Sequence, residues 1–66
     1  MKIIFNGAEK EFEKEMTLAE LMDLLGINRE TAAAEVNGKL IKKSGYKDLL
    51  VKSGDKVEIL RFVGGG

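Results

Sequence analysis

Met16-Thr17-Leu18-Ala19-Glu20-Leu21-Met22-Asp23-Leu24-Leu25-Gly26 writes one amphipathic helix together with both of its ends. Thr17 and Glu20 have the spacing of a capping box. The Thr17 hydroxyl accepts from the backbone N–H of Glu20, and the Glu20 carboxylate reaches back to the N–H of Thr17. Met16 and Leu21 stand at the staple positions on either side of that cap. Leu18, Leu21, Met22 and Leu25 follow at i, i+3, i+4 and i+7, one apolar stripe. Gly26 is placed to end the helix with a left-handed residue. The helix is expected over 18–25.

Outward from the helix the periodicity changes. Upstream, 2–6 reads as a strand with Met1, Ile3 and Phe5 in phase, and Asn6-Gly7 is a hairpin turn. A polar return strand is expected over 9–15 with Phe12 turned inward. Glutamate and lysine are poor strand formers, so pairing with the first strand has to hold it. Downstream, 32–36 and 39–41 flank Asn37-Gly38, the strongest short-range hairpin signal in the chain. The stretch 42–50 is irregular, with a single helical turn expected around 46–49. Ser53-Gly54-Asp55 is a turn, and 56–63 is the last strand. Hairpin, helix, short strands and final strand predict an α+β fold. One main helix packs across one face of a mixed sheet whose first and last strands lie side by side in the middle. This is the β-grasp arrangement of ubiquitin, with a domain over 1–63 and a flexible glycine tail over 64–66.

The composition narrows the chemistry. Sixty-six residues make one domain, near the lower limit for folding without disulfides or metal, and a hydrophobic content of 44% supplies a core. The chain has no cysteine and no histidine. That removes a thiolate nucleophile, the usual soft zinc ligands and the best proton-transfer side chain near neutral pH. No metal site is expected. Lys plus Arg equals Asp plus Glu at 11 each, so no basic excess exists to neutralise phosphates, and nucleic acid is not an expected partner. Lys39, Lys42, Lys43 and Lys47 form a local basic stretch that reads as a solvated face. No signal peptide or membrane span is legible, which makes the cytoplasm the default expectation.

Gly64-Gly65-Gly66 follows directly on the apolar run 57–63. A glycine run ending in a free α-carboxylate is a thin stalk that can thread a narrow channel, and no α-substituent crowds the last carbonyl. The carboxylate of Gly66 is therefore the candidate reacting group; an inert frayed terminus is the competing reading.

The order of pieces resembles the small ubiquitin-like sulfur carriers, most closely those of thiamine biosynthesis. The matching pieces are Ile4-Phe5-Asn6-Gly7, Thr17-Leu18-Ala19-Glu20-Leu21, Glu35-Val36-Asn37-Gly38, the run 53–59, and Phe62-Val63-Gly64-Gly65-Gly66. Lys42-Lys43 replaces a Pro-Arg pair found in many relatives, and Gly64 differs from relatives that end in a glycine pair. The resemblance implies a protein cosubstrate rather than an enzyme, a monomer when free. An adenylating, E1-like partner using ATP and magnesium would activate Gly66. A sulfur-donor protein would convert the acyl-adenylate to a thiocarboxylate, and thiazole synthase would receive the sulfur. No cofactor is expected on the chain itself. A carboxylate has a reference pKa of about 3.3–3.7 and resists nucleophiles, so it needs the better leaving group that AMP provides. Related readings remain open: the small subunit of molybdopterin synthase, or a modifier whose terminal glycine forms isopeptide bonds.

With Val57 and Ile59 facing the helix, Leu60 and Phe62 face away, and Ile4 joins that outer face. Two readings fit: a few ordinary exposed apolar residues, or a docking patch next to the tail. The candidate partner-binding set is Ile4, Leu60, Arg61, Phe62 and Val63, with Arg61 read either as a contact to an acidic groove or as an ordinary solvated arginine. Glu11, Glu13 and Glu15 are expected on one face of a strand, where a solvated edge is favoured over a cation site.

Overall fold

The computed structural model describes residues 1–62. Seven strands and one helix run in the order β1 (Lys2–Phe5), β2 (Ala8–Glu11), β3 (Met16–Thr17), α1 (Leu18–Leu24), β4 (Ala32–Val36), β5 (Lys39–Ile41), β6 (Leu50–Val51) and β7 (Lys56–Arg61). Five of them form a mixed sheet in the order β2-β1-β7-β4-β5, and β3 pairs with β6 in a separate two-stranded ribbon. β1 and β7 are parallel neighbours, while the other pairs are antiparallel. The expected α+β arrangement, with first and last strands adjacent inside the sheet, is the observed one.

The helix ends where its sequence says it does. Both halves of the capping box are made: Glu20 N donates to Thr17 Oγ1 at 3.1 Å, and Thr17 N donates to Glu20 Oε1 at 2.8 Å. That geometry, with Lys14 nearby, holds the Glu20 carboxyl below its ordinary value. The next orphan donors are satisfied from outside: Leu18 N donates to Leu49 O and Ala19 N to Tyr46 O, both at 2.8 Å. At the other end Gly26 adopts φ 71. Gly26 N donates to Asp23 O and Ile27 N to Met22 O, which together form a Schellman motif. Leu25 is the C-cap rather than the last helical residue.

Leu18, Leu21 and Met22 are fully buried against Ile3, Val57 and Val51, with Ala32, Ala34, Val36, Ile59 and Tyr46 completing the core. Met1, Phe5, Phe12, Met16 and Leu25 pack on its margin. Two expectations need correction. The return strand stops at Glu11 instead of running to residue 15: its pairing with β1 spans Lys2–Phe5, and beyond it only Met1 and Phe12 exchange a further pair of bonds, both at 2.7 Å. Glu13 and Glu15 therefore lie outside the strand and share no strand face with Glu11. A 3₁₀ turn at Lys43–Gly45 leads into the single helical turn expected around 46–49, which Leu49 N closes by donating to Gly45 O at 3.0 Å. The ribbon of β3 with β6, unforeseen from the sequence, ties the helix start to the segment that caps it.

Candidate functional site

Strand β7 carries the site because its alternation separates two faces. Val57 and Ile59 are 0% and 6% exposed on the helix side, whereas Leu60 and Phe62 are 64% and 55% exposed on the other. The register with β4 pairs Leu60 with Ala33 and Glu58 with Glu35 on the outer face. Leu40 of β5 lies opposite Glu35 and is 67% exposed. Leu60, Leu40 and Ala33 line a shallow outer hollow together with Asn6, Glu35 and Glu58. Leu40 was not among the residues expected here. It follows Asn37-Gly38 closely enough that counting outward from a two-residue turn would have placed it on the outer face.

The other expected residues spread out. Ile4 is half-buried and lies opposite Lys56 in the parallel pair. It is separated from Leu60 by about 13 Å of strand at about 3.3 Å per residue. Leu40 and Leu60 thus share the outer hollow, Phe62 continues the same face two residues beyond Leu60, and Ile4 lies apart. Arg61 lies opposite buried Ala32, in the phase of Val57 and Ile59. Its side chain is therefore on the opposite face from Leu60 and Phe62, and it is exposed. The ion pairs among the described residues join Arg29 to Asp23 and Lys43 to Glu30, neither involving Arg61. Val63, Gly64, Gly65 and Gly66, with the expected flexible tail, lie outside the described residues.

Two asparagines missed as functional candidates hold β7 in place. Asn6 and Asn37 both take positive φ, 48 and 54, followed by Gly7 and Gly38 at 84 and 81. These are the signs of type I′ hairpin turns. Asn37 Oδ1 accepts from Lys56 N at 2.9 Å, and its Nδ2 donates to Asp55 Oδ1 at 3.0 Å. Asn6 Oδ1 accepts from Ile59 N at 2.8 Å, and its Nδ2 donates to Ile59 O at 3.2 Å. The signal was present as two Asn-Gly pairs, but only the turn was read from them.

Among the described residues no group of three or more Asp, Glu, His or Cys side chains has the geometry to hold a metal ion. No helix among them is long and apolar enough to cross a membrane. The described surface presents exposed apolar side chains beside the end of β7.

The sequence matches the ThiS family over residues 3–66. It is 41% identical over its whole length to a thiazole synthase of Paramagnetospirillum magneticum, and 33% identical to a thiazole synthase of Magnetococcus marinus. The chain spans 20% of the length of each of these relatives. The crystal structure of the thiamine biosynthesis protein ThiS from Geobacter metallireducens superposes with a TM-score of 0.86, at 30% identity and with both chains covered in full.

Proposed function

This chain belongs to the ThiS family of small ubiquitin-like sulfur carriers, and on that premise we propose that its sulfur is carried as a thiocarboxylate on Gly66. The observation that supports this reading most directly is the family match running through residue 66, at the end of a fold that superposes over the full length of a thiamine biosynthesis protein. In the proposed reaction a carboxylate oxygen of Gly66 attacks the α-phosphate of ATP in an adenylating enzyme, and pyrophosphate leaves. Sulfide released by a donor protein then attacks the acyl carbon and AMP leaves, so a C–S bond replaces the C–O bond to AMP and Gly66 ends as a thiocarboxylate. The chain's own part is presentation. ATP and magnesium belong to the partner's site, and the carrier places the end of β7 against it.

Thiazole synthase is the proposed acceptor. In the two bacterial thiazole synthases a carrier-like segment makes up 20% of one polypeptide, which keeps it at high effective concentration near the rest of the enzyme. Leu40, Leu60 and Phe62 are the proposed contact surface, since exposed apolar clusters of this kind mark interaction sites. The test is intact mass after incubation with ATP, sulfide and the adenylating enzyme. Replacement of one oxygen by one sulfur at Gly66 is the expected result. An unchanged mass, or the chain appearing only on higher-mass conjugates, overturns the carrier reading.

A further inference from the structure

Strand β7 is held from the β1 side by backbone bonds only as far as Val57. Ile4 N donates to Asp55 O at 3.0 Å and Asn6 N donates to Val57 O at 2.9 Å, after which β1 turns away at Asn6-Gly7. The next donor and acceptor on that side of β7 belong to Ile59. Both are taken by one side chain, because the planar amide of Asn6 presents a C=O and an N–H as a peptide group would. The bonds join residues 53 apart in sequence and are partly buried. On the opposite side β4 pairs along β7, and Phe62 N donates to Thr31 O at 2.8 Å. Asn6 is therefore what makes β7 two-sided through Ile59, seven residues before Gly66.

We propose that Asn6 is a positioning residue for the reaction at Gly66: its amide clamps Ile59 and so fixes the direction in which β7 delivers the chain beyond Phe62. This rests on the carrier function proposed above. Activation of a terminal carboxylate needs the reacting atoms aligned at about 3–3.5 Å, and a displacement of about 1 Å can cost orders of magnitude in rate. A strand paired on one side only from Val57 onward has more freedom to swing than one paired through Ile59.

The experiment compares Asn6→Gly, Asn6→Asp and Gly7→Ala with the unaltered chain. Asn6→Gly keeps a residue that tolerates positive φ and deletes the amide. Asn6→Asp keeps the acceptor, loses the donor, and serves if the glycine variant folds poorly. Gly7→Ala strains the same turn at φ 84 without a steric clash and leaves the amide in place. Two quantities are read: amide hydrogen exchange at Ile59, and kcat and KM for ATP–pyrophosphate exchange by the adenylating enzyme, per folded molecule. For Asn6→Gly, Ile59 exchange is expected to speed up at least tenfold and kcat to fall about tenfold, with KM within about twofold. Asn6→Asp, which keeps the acceptor of the Ile59 N–H but sets a carboxylate oxygen against Ile59 O, is expected to lower kcat with a smaller change in Ile59 exchange. Gly7→Ala is expected to lower thermal stability while leaving Ile59 exchange relative to global unfolding, and kcat, unchanged. Unchanged Ile59 exchange in Asn6→Gly, unchanged kcat in both Asn6 variants, a loss confined to KM, or an equal kcat loss in Gly7→Ala overturns the proposal. Failure of the carrier function shows itself differently, as an unaltered chain that supports no pyrophosphate exchange, and this overturns the positioning role with it.

Discussion

The two Asn-Gly turns have the same dipeptide, φ angles within a few degrees and the same two-residue hairpin geometry, yet they do different work. Asn37 holds the start of β7, binding Asp55 and the N–H of Lys56 where those groups are exposed. Asn6 holds β7 at Ile59, where its partners are partly buried. A hydrogen bond lost at the surface is replaced by water. One lost in a partly buried position leaves a backbone donor and acceptor without a partner. The lesson is that a turn motif specifies the backbone path, while its neighbours in space decide what its side chain is worth.

The largest effect should come from the residue that the Asn6 turn grips. Ile59→Ala opens a cavity under the helix and is expected to cost about 2–5 kcal/mol in chemical denaturation. Leu60→Ala, one residue on and facing outward, should cost under about 1 kcal/mol. Its effect should appear instead as about tenfold weaker binding to the adenylating enzyme or thiazole synthase in calorimetry, about 1.4 kcal/mol. Equal stability losses at Ile59 and Leu60 would mean that the two faces of β7 are not distinct.

Next comes the comparison of the turns themselves. Asn6→Gly should destabilise by about 1–3 kcal/mol, the cost of leaving partly buried backbone groups unmet. Asn37→Gly should cost about 0.5–1.5 kcal/mol, the worth of ordinary hydrogen bonds at an exposed site. The order is read from urea midpoints at constant slope. A reversed order would break the distinction between the two asparagines.

The smallest effect belongs to the helix start, remote in sequence from both turns and useful as a control on them. The capping bonds lower the Glu20 carboxyl below its ordinary value. The ionised form is therefore favoured in the folded state. Its contribution is fully present above the unfolded carboxylate value of about 4.3, and it is lost as pH falls through the lower folded value. Against Glu20→Gln, the unaltered chain should be more stable at neutral pH, and the gap should close on acidification. A gap that does not change with pH would remove the charge from this account. The Asn6 effect should persist across the same range, since neither its amide nor the backbone groups of Ile59 titrate.

Much of this molecule was legible in its sequence because much of it is built from local rules. The capping box, the Gly26 stop and both type I′ turns each depend on atoms within a few residues of one another, and all formed as written. The inward alternation of Val57 and Ile59, and with it the outward placement of Leu60 and Phe62, follows from a period of two. The glycine ending pointed to the proposed reacting group without any structure at all. What the tertiary structure alone decided involves partners far apart in the chain. β2 ended at Glu11, with one further pair of bonds between Met1 and Phe12, because the pairing across the Asn6-Gly7 turn goes no further. Leu50–Val51 became a strand because Met16–Thr17 lay beside it, and Tyr46 was drawn into the core while its carbonyl capped the helix. Ile4 was set apart from Leu60 by the parallel register of β1 on β7. Asn6 acquired Ile59, 53 residues away, by the same packing. Periodicity states which way a side chain faces, but only register states what it meets, and register is set by the packing of the whole chain.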